Sequence, residues 1–235
     1  MQVLSGVLTV FLALVLPVAM WLYASFRQRC AKPVLLGAAC FAVFQLLLRM
    51  PLVQLLEYRC APFSILRISS PIVYFFLLAL SAGIFEEVGR YFIMSRFMKT
   101  AREFGAVAFG MGHGGLEAVL LTGIHATALL CTGSVSSPGT MIAAGAERLF
   151  AMMLHIGLSV MVWRAAKHKQ KWLLPMAVLI HTAVDFAGAY LAFLGVSVLI
   201  VETAVALPAA ALLGYAVCQY KTSIKKGGSA NEKDN

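Results

Sequence analysis

Four groups of ionisable residues stand inside apolar stretches of this chain: Glu86-Glu87-Val88-Gly89-Arg90, His113-Gly114-Gly115-Leu116-Glu117, His155 on its own, and His181-Thr182-Ala183-Val184-Asp185. A charged side chain at the centre of a bilayer costs roughly 2.5–3.5 kcal/mol on insertion scales, so four such groups are poor candidates for lipid-facing accidents. Residues at i and i+4 are neighbours on a helix. That spacing sets His113 beside Glu117 and His181 beside Asp185, with Arg90 one turn from Glu86 and three residues from Glu87. Arg90 is then able to neutralise one carboxylate and leave the other as a base. A carboxylate beside an imidazole fixes its tautomer. Buried carboxylates serve as general bases near neutral pH, and histidines hold a metal or donate to a developing oxyanion. The chemistry these types suit is activation of a water. A serine or cysteine nucleophile fits less well. Ser159, one turn after His155, is the one such residue within a turn of a motif histidine, and no Gly-x-Ser-x-Gly elbow is present.

Each group also has a packing role open to it. Glu86, Glu87 and Arg90 make a plausible ion-pair knot, and His113, His155 and the His181–Asp185 pair make plausible interhelical hydrogen bonds. Depth favours a site. Glu86 lies ten residues from the basic Arg96, His113 eleven from Arg102, His155 nine from Arg164 and His181 ten from Lys171. At about 1.5 Å per residue, all four groups stand roughly 15 Å from one edge of the membrane.

The elements that must position these groups are apolar runs of membrane-spanning length, about 20 residues. The sequence predicts seven helices, over 3–26, 33–56, 70–95, 105–130, 141–164, 172–194 and 197–219. Pro33, Pro71 and Pro138 fall at helix starts, where a missing N–H is harmless, whereas Pro17, Pro175 and Pro208 lie inside apolar runs and are expected to kink them. Gly105, Gly110, Gly112, Gly114 and Gly115 cluster around His113. They serve either close helix approach or room for a substrate backbone. The chain is 61% hydrophobic and 12% charged, with mean hydropathy +0.86, far from the composition of a soluble domain. Strand alternation of the kind a membrane barrel needs is missing. The expected class is all-α: a polytopic membrane bundle with one transmembrane domain over 1–222, its active-site core over 70–194, and a disordered tail over 223–235.

The net charge of +9 is topological in origin. Basic residues concentrate in the first loop (Arg27, Arg29, Lys32), the third (Arg96, Lys99, Arg102) and the fifth (Arg164, Lys167, Lys169, Lys171). The loop near Glu57, Arg59 and Arg67 is nearly neutral, and the one at 133–139 is uncharged. Positive-inside bias puts the basic loops in the cytoplasm, with the N-terminus out and the C-terminus in. No basic patch interleaved with aromatics argues for nucleic acid. The five cysteines form no CxxC pair, so a thiolate metal site is not expected. The first apolar run lacks a basic leader and is long enough to span, so it reads as an anchor rather than a cleaved signal. Among the remaining charges, Glu147 and Arg148 are expected to pair with a neighbour. Arg49 is expected to pair with a motif carboxylate or only with the next helix. His125 lies nearer the outer face, His168 falls in a basic loop, and Glu202 has no assigned role.

Taken in order, Glu-Glu-x-x-Arg, a glycine-flanked His-x-x-x-Glu, a histidine in the next helix and His-x-x-x-Asp resemble the YhfC family of intramembrane metalloproteases, a branch of the CAAX-protease and bacteriocin-processing superfamily. The resemblance covers residues 82–190. It implies that Glu86 and Glu87 carry the base motif, that His113 contacts the catalytic water or a metal, and that His181 and Asp185 form an oxyanion-side or ligand pair. Two features depart from prenyl-protein proteases and point away from a prenylated substrate. Two residues rather than three separate the glutamates from Arg90, and the last motif ends in Asp185 rather than asparagine. The superfamily also includes non-catalytic subunits.

The expected function is therefore intramembrane proteolysis in a bacterial plasma membrane. Glu86 or Glu87 is the base, Arg90 the orienting cation, and His113, His155 and His181 hold zinc or the oxyanion. Glu117 and Asp185 are further ligands or orienting groups. Membrane lipid and a peptide or membrane-protein substrate are the implied partners. The other readings are a proton- or cation-coupled transporter, for which titratable groups near the midplane are suited but no inverted repeat is detectable, and a non-catalytic membrane scaffold.

Overall fold

The computed structural model describes residues 1–134 and 136–231, with side chains through Ile224. Regular structure among the described residues is helical throughout. Seven helices are long and apolar enough to cross a membrane: Gln2–Arg27, Ala31–Arg59, Pro71–Phe97, Phe104–Cys131, Pro138–Lys167, Leu173–Phe193 and Val198–Ile224. They are called the first to seventh spans below, and the protein is an integral membrane protein. Large apolar side chains such as Phe26, Leu47, Phe92, Leu179 and Leu199 remain exposed along them, as a lipid-facing surface requires.

Span ends follow from local chemistry. Pro71 and Pro138 open the third and fifth spans. The hydroxyl of Ser137 accepts the amide of Thr140, a normal N-cap. Gly133 and Gly195, with φ of 68° and 69°, turn the chain after the fourth and sixth spans, a conformation that suits glycine.

Several expectations are revised. The second span runs to Arg59, and Ala61–Ser69 form a further short helix instead of a loop. That segment has a proline in its first turn and apolar residues after it, and nothing stops it before Ser70-Pro71. Pro175 falls in the first turn of the sixth span rather than in its interior, so its missing N–H breaks no bond. Wide π-helical turns at Phe11–Val15 and Phe41–Arg49 precede Pro17 and Pro51, where a proline ring presses on the carbonyl one turn back. The last helix continues to Asn231, past Ser223 where a disordered tail was expected. No proline follows Pro208 to end it, and adding residues to an existing helix is easy compared with nucleating one. The remainder of that tail, 232–235, lies outside the described residues.

The fifth span is the hub. It packs against the first, third, fourth, sixth and seventh. Of its apolar stretch 67% is buried, against 11% for the seventh span. The second span packs on the fourth, and the third on the sixth. Glycine makes the closest of these crossings possible. A Cβ on Gly112 would stand 2.0 Å from the Val34 carbonyl oxygen, and one on Gly110 would stand 2.5 Å from Ile156 Cα. Of the two roles open to the glycines around His113, close helix approach is the one observed. The Trp21 indole donates to the Met111 carbonyl at 2.8 Å, tying the first span to the fourth just before His113.

Candidate active site

The third to sixth spans bring their polar groups into one layer. Glu86, Glu87 and Arg90 come from the third, His113 and Glu117 from the fourth, His155 from the fifth, and His181 and Asp185 from the sixth. All eight sequence-predicted residues meet there. The imidazoles form a row, with ring centroids 4.6 Å apart between His113 and His155 and 5.4 Å apart between His155 and His181.

Hydrogen-bond partners assign the tautomers along this row. Arg90, fully buried, donates through Nη1 to both oxygens of Glu87 at 2.7 Å and through Nη2 to His155 Nδ1 at 3.0 Å. A guanidinium only donates, so His155 Nδ1 accepts and its proton sits on Nε2, which donates to Glu117 Oε2 at 2.7 Å. Glu87, saturated by Arg90, also accepts from His181 Nδ1 at 2.7 Å. This leaves His181 Nε2 facing Asp185 Oδ2 at 3.5 Å and Glu86 Oε2 at 3.9 Å. His113 Nε2 donates to Glu86 Oε2 at 2.8 Å. Its Nδ1 is buried with no partner among the described residues, and the Phe41 ring packs edge-on against it.

One expected pairing is not made. Glu117 does not bond His113. It accepts from His155 and, through Oε1, from Arg148 Nη1 at 2.8 Å. Four residues advance the helix by about 40° beyond a full turn. That offset is enough for His113 to face the third span while Glu117 faces the fifth. Arg148, expected only to pair with a neighbour, joins the motif network through Glu117. It bridges Glu117 and Glu147, the latter at 2.5 Å. Its position two turns before His155, on the same face of the fifth span, was the available signal. Arg49 makes the second of its expected kinds of contact: Nε donates to Ser81 Oγ at 2.9 Å, Nη1 to Gln45 Oε1 at 3.1 Å and Nη2 to the Leu78 carbonyl at 2.8 Å. His125 is exposed, His168 lies 3.5 Å from Glu103, and Ser159 is buried with no hydrogen-bond partner among the described residues and does not line the cavity described next.

A cavity of about 750 Å³ reaches this layer, within the size range of small-molecule and peptide-side-chain pockets. Glu86, Glu117, His155, His181 and Asp185 line it, whereas Glu87, Arg90 and His113 do not. It extends to Thr140, Val196 and Val198, at the end of the bundle opposite the basic loops. Glu202, left without a role by the sequence, lines its wall together with Glu147.

The donor set fits a metal that replaces the Nε2 protons of His113 and His155, since a ring nitrogen ligates only through a free lone pair. One ligand atom each from Glu86, His113 and His155 lies within 4.8 Å of the others, and all three residues are buried. Two imidazoles and one carboxylate are a known catalytic zinc set. The four carboxylates that touch an imidazole (Glu86, Glu87, Glu117 and Asp185) and Glu147 share two guanidiniums, Arg90 and Arg148, so carboxylates outnumber the cations paired with them. The three-histidine set differs from this one: His181 stands beyond His155, its Nδ1 held by Glu87, and Glu86 takes its place among the converging donors.

Comparison with known proteins gives a consistent match. The model of a family described as YhfC intramembrane metalloprotease matches residues 10–144 and 135–206. A protein of Bacillus subtilis (strain 168), called uncharacterized membrane protein YhfC, is 34% identical over 131 residues, an alignment covering 43% of this chain and 51% of that protein. The chain thus spans about half the length of the curated relative it matches. No solved structure matches.

Proposed function

Because the chain belongs to the YhfC family, we propose that it hydrolyses peptide bonds within the membrane, at the layer where Glu86, the three imidazoles and Asp185 meet. The observation that carries this reading is a buried carboxylate–imidazole cluster opening onto a cavity, inside a bundle whose surface is apolar. Glu86 is the base. Its Oε2 is taken by His113, while its Oε1 makes no hydrogen bond among the described residues and its side chain borders the cavity. Glu87 does not share that role, since both its oxygens accept from Arg90 and one also accepts from His181. Its work is to fix the His181 tautomer, leaving Nε2 to meet the substrate together with Asp185. Glu117, held by Arg148, keeps the His155 ring in register. Glu86, His113 and His155 would hold a divalent ion such as zinc in place of the protons that His113 and His155 now donate, with the remaining Glu86 oxygen kept as the base. When bound, the ion supplies Lewis acidity and a more acidic water.

The basic loops face the cytoplasm in this reading, so the cavity opens toward the outer side of a bacterial plasma membrane. The substrate is a peptide or the transmembrane segment of another protein, reached through the lipid-facing surface or that opening. The test uses purified protein in detergent, incubated with a panel of hydrophobic peptides, with fragments read by mass spectrometry and metal content by elemental analysis. Cleavage by the wild type that Glu86→Gln abolishes supports the reading. Intact peptides in the presence of the metal-loaded wild type count against it, and substrate-dependent ion flux in proteoliposomes would then favour the transporter.

A further inference from the structure

Three arginines stand within the spans around the cavity, and they are not equivalent. Arg90 bonds Glu87, and Arg148 bonds Glu117 and Glu147. Arg49 is matched only by neutral acceptors: a hydroxyl, an amide and a backbone carbonyl. No carboxylate oxygen lies within ion-pair distance of it among the described residues. Those three contacts pin the guanidinium in place and use one N–H on each nitrogen, which leaves one N–H on each terminal nitrogen. The side chain is half-buried and lines the same cavity as Glu86 and Asp185. Ionisable groups inside a membrane are retained for partners or for function, and a fixed guanidinium fork matches the geometry of a carboxylate.

We propose that Arg49 anchors a carboxylate of the substrate. The assignment rests on the proteolytic reading above and adds a specificity to it. Arg49 contacts Ser81 and Leu78, which stand five and eight residues before Glu86 on the third span. At about 1.5 Å per residue the anchor is roughly 7–12 Å from the base. An extended peptide rises about 3.3 Å per residue, so the carboxylate belongs about two to four residues from the bond that is cut. It is either a terminal carboxylate or an acidic side chain at that place. A neutral substrate would leave the two free N–H groups of Arg49 unmet in the cavity, which is the discrimination a charged subsite provides.

Binding is measured on purified protein in detergent with three matched hydrophobic peptides: one ending in a free carboxylate, the same peptide ending in an amide, and an amide-ended peptide with a glutamate three positions beyond the expected cleavage bond. The free acid, the glutamate peptide or both should bind about tenfold more tightly than the plain amide, as expected for charge-assisted hydrogen bonds. Which of the two gains identifies the source of the carboxylate. In Arg49→Gln that preference should shrink to less than about twofold while amide binding stays unchanged; Arg49→Lys should keep part of it. A merely structural Arg49 would lower the binding of all three peptides alike. Equal binding of acid, glutamate and amide peptides by the wild type overturns the anchor without touching proteolysis. Preference for the acid without any cleavage leaves the anchor standing and removes proteolysis. No binding of any peptide removes both.

Discussion

Glu87 and Arg90 occupy the closed side of the polar layer, and Glu86, Glu117 and Asp185 the side that borders the cavity. Both sides are built from carboxylates, guanidiniums and imidazoles, yet they are wired differently. On the closed side the carboxylate is fully taken: Glu87 receives Arg90 on both oxygens and His181 on one, with neither Glu87 nor Arg90 accessible at all. On the open side Glu86 keeps an oxygen free, Asp185 is touched only at 3.5 Å, and its side chain is 38% exposed. Saturated groups position their neighbours, whereas unsaturated ones bordering a cavity are free to meet a ligand. Glu86 and Glu87 are adjacent in the chain and lie on opposite sides of this division, because successive residues on a helix point about 100° apart.

Substitutions test the division most sharply. Glu86→Gln should lower cleavage by about 10²–10⁴-fold, the scale of a general base, with thermal unfolding in detergent nearly unchanged. A similar activity loss accompanied by strong destabilisation would place Glu86 on the structural side after all. Arg90→Ala should be the most destabilising change, by roughly 3–5 kcal/mol, since it strands a buried carboxylate. Arg148→Ala, at a partly exposed pair, should cost less, and equal unfolding temperatures for the two variants would erase the contrast. Metal content measured after dialysis should drop in His113→Ala and in Glu86→Gln while persisting in Ser159→Ala. Affinity should weaken on acidification, because imidazole ligands bind neutral and protons compete for them. Retention of metal by all of these variants would move the ion elsewhere. The smallest effect concerns orientation. Cys131 is exposed at the end opposite the basic loops, so a membrane-impermeant maleimide should label it in intact cells. Labelling only in inverted vesicles would reverse the topology. Cys30, buried at 5% exposure, is a poor reporter for the other side.

Much of this was legible beforehand. Span length, helix starts at Pro71 and Pro138, and the eight polar residues at one depth are written in hydropathy and residue offsets, because a bilayer imposes its thickness on any helix that crosses it. Other parts were not. The short helix at Ala61–Ser69 looked like a loop because Glu57, Arg59, Pro62 and Arg67 interrupt the apolar run around it, and Arg148 was expected to pair with a neighbour without a sign that the partner would be a motif carboxylate.

The sequence by itself determined that seven apolar helices cross the membrane and that carboxylates, imidazoles and an arginine share one level within them. Those conclusions depend only on composition and on the rise of a helix. Tertiary structure decided who meets whom. His113 turns to Glu86 rather than to Glu117, Arg90 reaches across to His155, and His181 takes Glu87 as its partner. Spacing along one helix defines a face, but the partner across that face is set by which helix packs there and at what rotation. The close crossings at Gly110 and Gly112 help set that arrangement for the fourth span.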